Sequence, residues 1–162
     1  MADTIEANGA TAVSEGRTDR TLVIERVFRA PPEKVFAAWT DPVIFSRWFG
    51  PEGFAIREHS LDATVGGAWR AVMEPQSGKA VAASGVYRQI APPRRLVMTW
   101  AWDQEDGRRG HETLLDLTFE PDPAGTRMRL VQSLFQDKDV RDGHNGGWSS
   151  AFNKLDRLLA TV

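Results

Sequence analysis

The chain has 162 residues, of which 41% are hydrophobic and 26% charged, and it has no cysteine; this is the size and balance of one domain that can bury a core without disulfides, and it excludes thiolate metal sites, cysteine nucleophiles and redox switching. Lys and Arg number 20 against 22 Asp and Glu, and the first 20 residues alone account for the net charge of −2, so no basic stripe marks a nucleic-acid partner or a membrane-surface helix. No apolar run is long enough to span a bilayer, the start lacks the pattern of a signal peptide, and the absence of cysteine fits a reducing cytoplasm, the compartment expected.

Residues 1–19 are small and acidic, with isolated Ile5 and Val13 and no sustained period. They read as a disordered tail ahead of a single domain over 20–162. Thr21 to Phe28 is rich in β-branched and apolar residues and reads as a strand. Ala30-Pro31-Pro32 ends it, and Pro32 suits the first turn of a helix. Val35, Phe36 and Trp39 recur at helical spacing until Asp41-Pro42 breaks the pattern. Ile44, Phe45 and Trp48 form a second short stripe, closed by Gly50-Pro51.

The period then becomes two. Candidate strands run from Phe54 to Leu61, Ala68 to Met73 and Ala83 to Ile90, with Pro75 to Gly78 as a hairpin turn and Gly66-Gly67 permitting a tight entry. Leu96, Met98, Trp100 and Trp102 alternate on one face; so do Thr113, Leu115, Leu117 and Phe119, and then Met128, Leu130, Gln132 and Leu134. Residues 136–147 are polar and glycine-rich and read as a loop, in which Gly146-Gly147 allows a sharp approach to the last helix. Trp148, Phe152, Leu155, Leu159 and Val162 recur at steps of four and three, which makes that helix amphipathic.

The resulting order is strand, two short helices, six strands and a long helix. Short turns between successive strands imply antiparallel pairing. One face of such a sheet needs a cover, and the last helix is the available one. Where helix and sheet do not touch, a cavity is left. Six tryptophans, at 39, 48, 69, 100, 102 and 148, either fill this space as ordinary core or line it as an apolar pocket.

The series Arg29-Ala30-Pro31-Pro32-Glu33-Lys34-Val35-Phe36, Ala38-Trp39-Thr40-Asp41-Pro42 and Arg47-Trp48-Phe49-Gly50-Pro51 is specific when taken in order. Gly66-Gly67-Ala68-Trp69, Ile90 to Leu96 and His144-Asn145-Gly146-Gly147-Trp148 continue it. Over residues 21–161 the chain resembles bacterial proteins of the SRPBCC (START-like) superfamily, in the branch named for activators of the 90-kDa heat-shock-protein ATPase. The resemblance implies an α+β helix-grip fold: an antiparallel sheet wrapped around a long C-terminal helix, with two small helices closing one end of a cavity. Lipid carriers, polyketide cyclases and hormone receptors share that fold, so the resemblance does not name a function. The co-chaperones behind the branch name carry a further client-binding domain, for which this chain has only a short tail.

The candidate chemistry is sparse. His59, His111 and His144 are far apart and lack metal-ligand spacing, so no metal and no cofactor are expected. His144 stands where it could overlook a pocket mouth, or else caps a helix. Asp62, Glu74, Glu112 and Asp116 form no acid–base pair recognisable from spacing. No serine has nucleophile-elbow context and no glycine pair matches a phosphate loop, so no catalytic residue is assigned.

The expected function is binding of an apolar or aromatic small molecule, lipid-like or polyketide-like, between sheet and helix. The candidate lining is the six tryptophans with Tyr87, Met98, Leu115, Leu117, Met128, Leu130, Gln132, His144 and Phe152. One alternative is a cyclase- or aromatase-like enzyme using Arg70, Tyr87, Arg88 and Gln132 to orient a chain. The other is a module that docks on a chaperone or regulator through an apolar patch at Trp48-Phe49.

Overall fold

Asp41 shows how local chemistry sets the chain's course. Its backbone N–H donates to Ala37 O and closes one helix, while its side chain accepts from Val43 N (2.9 Å) and Ile44 N (3.2 Å) and caps the next. In the computed structural model, which describes residues 19–161, these two helices are α1 (Pro32–Thr40) and α2 (Pro42–Trp48), each with proline in its first turn. They follow β1 (Leu22–Phe28) and precede β2 (Phe54–Leu61), β3 (Ala68–Pro75), β4 (Val81–Ala91), β5 (Arg95–Trp102), β6 (Thr113–Asp122) and β7 (Gly125–Ser133). The chain closes on α3 (Lys138–Leu159). The tail expected over 1–19 lies, residue 19 apart, outside the described residues.

The seven strands form one sheet in the order β1-β7-β6-β5-β4-β3-β2, with every neighbouring pair antiparallel. β2 to β7 is a meander; β1 alone leaves sequence order, pairing Leu22 with Gln132 and Phe28 with Thr126. Irregular register at Arg57 in β2 and Arg88 in β4 marks two bulges. Bulges add twist, which helps the sheet curl. The concave face presents Leu96, Met98 and Trp100 of β5, Leu115, Leu117 and Phe119 of β6, and Met128 and Leu130 of β7, all buried. α3 lies across it with Trp148, Phe152, Leu155 and Leu159 turned inward. The helix-grip fold is therefore present, with α1 packed toward β6 and β7 and α2 against β2 and α3.

Three sequence expectations need correction. The segment 138–147 is helix, not loop: Asp137 caps it by accepting from Val140 N (2.9 Å), and packing of the downstream half overrides the weak helix propensity of its glycines. Gly146 and Gly147 are thus interior to α3 rather than at its entry. Leu134 does not continue the inner face of β7; it adopts φ +71° and is 57% exposed, and the fully buried Phe135 takes the inward place. Trp102, at the end of β5, is 36% exposed rather than enclosed with Trp100.

Gly85 is required by a close approach. It pairs across the ladder with Trp69, whose indole Nε1 donates to Thr99 O (3.0 Å). A Cβ at Gly85 would lie 2.6 Å from that Nε1 and inside contact with Thr99 O. Gly85→Ala should therefore lower the unfolding free energy by about 1–3 kcal/mol through overpacking, read as an earlier urea midpoint. An unchanged midpoint would mean that the β4–β5 backbone at Thr99, as well as the Trp69 indole, can shift to admit the methyl group.

Candidate functional site

Between the two small helices and the grip, aromatic rings form one continuous network. Phe45 stacks on Phe49 (4.2 Å between centroids), and Trp39 meets Trp48 (4.9 Å) and Trp148 (5.6 Å) edge-on or tilted. Trp100 touches Trp69 (5.2 Å), Trp148 (5.2 Å) and Trp102 (5.4 Å). Offset and edge-to-face pairs of this kind are favourable beyond their buried area. Several indoles also find acceptors: Trp48 Nε1 donates to Ala38 O and Trp148 Nε1 to Gln132 Oε1, both at 2.8 Å.

This network mostly fills space. Trp39, Trp48, Trp69, Tyr87, Met98, Leu115, Leu117, Met128, Leu130, Gln132 and Phe152 are all at most 1% exposed and pack in the core; none borders the open space at the end of the grip. Gln132 is neither free in a cavity nor bonded to backbone: its Nε2 donates to Thr113 Oγ1 (2.9 Å) and its Oε1 receives Trp148. Tyr87 keeps its phenol proton because burial raises its pKa. Trp48 and Phe49, the expected docking patch, are buried and offer no surface.

A cavity of about 290 Å³ does open at one end of the grip. Its walls are Phe49, Gly50 and Pro51 between α2 and β2, Met73 of β3, Trp100 and Trp102 of β5, and one face of α3. Of the fifteen candidate residues, Trp100, Trp102, His144 and Trp148 are on this wall. The helix contributes its space through small residues at steps of four, Gly143, Gly147 and Ala151. A Cβ at Gly143 would meet nothing within 4 Å, and one at Gly147 would meet only Pro51 Cγ, at 3.9 Å. Gly50, at φ +93°, makes the turn between Phe49 and Pro51 that brings both onto the wall; such φ is ordinary only for glycine.

The rim is fastened to α3. Glu52 N donates to Ser150 Oγ (2.8 Å), Lys154 Nζ donates to Pro51 O (3.3 Å) and Phe54 O (3.1 Å), and Arg157 pairs with Glu52 (2.6 Å). Burial holds the pKa of Lys154 below its usual value, and the hydrogen bond from Arg157 lowers that of Glu52. Sequence reasoning passed over Phe49, Gly50, Pro51, Met73, Gly143, Gly147 and Ala151 as lining. The signal for the last three was the helical period of Trp148 and Phe152 extended backward through the glycines.

A second, smaller cavity of about 200 Å³ lies on the far side of Trp100, Trp102 and His144, with Gln104, His111 and Gln136 on its wall. Trp102 Nε1 donates to His144 Nε2 (2.9 Å). The His144 ring also packs against Phe135 (5.0 Å) and Trp100 (5.8 Å). Burial among these rings lowers its pKa to about 4, so it is neutral at physiological pH.

The remaining polar candidates stand at the surface. Arg70 pairs with Asp103 (2.9 Å), Asp116 with Arg95 (2.7 Å), Glu112 with Arg109 (3.0 Å) and Glu74 with Arg57 (3.6 Å). Asp62, Arg88 and His59 are exposed. His111 is exposed and bonds Leu134 O.

The profile of the family described as "Activator of Hsp90 ATPase homolog 1-like protein" matches residues 29–160. Among solved structures, the AHSA1 protein from Silicibacter pomeroyi is 34% identical, with a TM-score of 0.81 over 87% of this chain and 98% of its own. A protein from Chromobacterium violaceum is 29% identical, with a TM-score of 0.78 over 86% and 97%. One from Mycobacterium smegmatis, 23% identical with a TM-score of 0.77 over 92% and 96%, shares the fold. No curated protein matches the chain.

The half-buried His144 makes stability depend on pH. Above about pH 6.5 neither state carries its proton; below that the unfolded chain takes it up, while the native ring resists until about pH 4. The unfolded state therefore binds more protons in this window, and native stability falls as pH drops through it, by roughly 3 kcal/mol in all. His144→Gln, which does not titrate, should lack this loss. Urea unfolding of both proteins at pH 7.5 and pH 4.5 reads the difference, and parallel losses would show that the His144 ring is not buried among its aromatic neighbours.

Proposed function

This chain belongs to the activator of Hsp90 ATPase homolog 1-like family, within the SRPBCC superfamily, and from that premise we propose that it binds a small apolar or aromatic molecule in the cavity between Trp100, Trp102 and the glycine face of α3. The observation that carries this reading is the cavity itself: about 290 Å³ walled almost wholly by carbon, where α3 places glycine instead of a side chain that would fill it. Engineered apolar cavities of about 150 Å³ take up benzene, and drug-sized pockets begin near 300 Å³. A molecule of two fused rings matches that volume; a long acyl chain or a folded polyketide would require the aromatic network to part.

The lining favours a binder over a catalyst. Among the described residues His144 is the one titratable side chain on the wall of this cavity, and burial keeps it neutral. General acid–base work needs a second group in reach of the same substrate, and the surface carboxylates Asp103, Asp116, Glu112 and Glu74 are held in ion pairs with arginines elsewhere.

Gly147→Leu is the direct test. The leucine side chain would project into the cavity beside Pro51, and leucine favours a helix over glycine by about 0.8 kcal/mol or more. The variant is therefore expected to keep or raise its melting temperature while losing binding of naphthalene, followed by quenching of tryptophan fluorescence, by at least about tenfold. Retention of naphthalene affinity in a folded Gly147→Leu protein would place the ligand elsewhere.

A further inference from the structure

His144 lies on the walls of both cavities, as do Trp100 and Trp102, so the two spaces adjoin along two indoles and one imidazole. An indole N–H can only donate. Because Trp102 donates to Nε2, the neutral His144 ring must carry its proton on Nδ1. No described residue accepts a hydrogen bond from that Nδ1, and it is not sealed in by surrounding atoms. Neighbouring polar groups are already engaged: Thr113 Oγ1 donates to Trp100 O (3.2 Å) and accepts from Gln132. The lining of the two cavities includes no Lys, Arg, Asp or Glu.

We propose that the two cavities form one bipartite site for a neutral aromatic carbonyl compound, with its rings in the larger compartment and its carbonyl oxygen accepting from His144 Nδ1–H. The proposal rests on the small-molecule reading of the larger cavity and adds the polar end of the ligand. A donor that the ligand would cover gives specificity, because a ligand without an acceptor leaves that N–H unsatisfied in the complex. An ionised ligand is disfavoured for a separate reason: its charge would leave water with no Lys or Arg on either wall to pair with it. The smaller compartment, with Gln104, His111 and Gln136 on its wall, is the polar side toward which the carbonyl end points.

The test titrates the protein calorimetrically with naphthalene, 2-acetylnaphthalene and 2-naphthoate. The ketone should bind about tenfold more tightly than naphthalene, the gain of one hydrogen bond, and the carboxylate more weakly than the ketone. In His144→Phe the ketone should lose its advantage and bind no more tightly than naphthalene does to the same variant. A second measurement uses the native protein alone: its ¹⁵N-detected imidazole spectrum should show the His144 proton on Nδ1, and that resonance should move with the ketone and not with naphthalene. Equal affinities for ketone and naphthalene, a ketone advantage that survives in His144→Phe, carboxylate binding as tight as ketone binding, or a proton on Nε2 would each overturn the proposal while leaving the apolar cavity as a binding site. Failure of naphthalene itself to bind would overturn the cavity reading, and this inference with it.

Discussion

An indole N–H can donate a hydrogen bond but never accept one, and that one-way constraint sets where α3 stands. Trp148 Nε1 donates to Gln132 Oε1, which fixes the amide so that its Nε2 must face Thr113; the threonine hydroxyl then donates to Trp100 O. The chain runs from α3 through β7 and β6 to β5 with each link buried. Breaking one link would leave a polar group unpaired in the core, which costs about 1–3 kcal/mol. The helix is thereby pinned near its middle, at Trp148. Beyond the pin, Phe152, Leu155 and Leu159 fill the concave face. Ahead of it, Gly143 and Gly147 do not, and the cavity is the space that remains.

That space has a cost in local stability. Gly143, Gly146 and Gly147 fall within five positions of one helix, and each is about 1 kcal/mol less favourable there than alanine. The cap at Asp137 and the pin at Trp148 brace this stretch from both sides. Ser150, Lys154 and Arg157 fasten the next turns to the segment around Pro51 and Glu52. The weakest part of the helix and the rim of the cavity are therefore held as one piece, by bonds lying outside the cavity itself.

The sequence made the sheet legible because its strands alternate with period two and its breaks carry proline or glycine; β5 and β6 read directly from Leu96, Met98 and Trp100 and from Leu115, Leu117 and Phe119. The first half of α3 was not legible, because three glycines and a row of polar residues resemble a loop until tertiary packing is known. The candidate site was legible in part. That Trp100, Trp148 and their neighbours would be buried follows from their spacing. Whether a buried ring fills a space or borders one depends on how rings from different elements interdigitate, as with Trp39 against Trp48 and Phe45 against Phe49, and periodicity carries no record of that. Met73, Gly50 and Pro51 reach the wall only because the sheet curls at its bulges and the chain turns sharply at Gly50.

The placement of β1 bears on how the chain is made. Among the described residues its only neighbour in the sheet is β7, so Leu22 must wait for Gln132, 110 positions later. At ribosomal speeds of about 5–20 residues per second, that wait is roughly 5–20 s. The meander from β2 to β7 can zip strand by strand as it emerges, but its concave face stays uncovered until α3, which follows β7, has left the exit tunnel. Distant pairing and late burial both slow folding and expose apolar surface while synthesis continues. Translation thus supplies β1 long before its partner β7, and the cover for both only after β7.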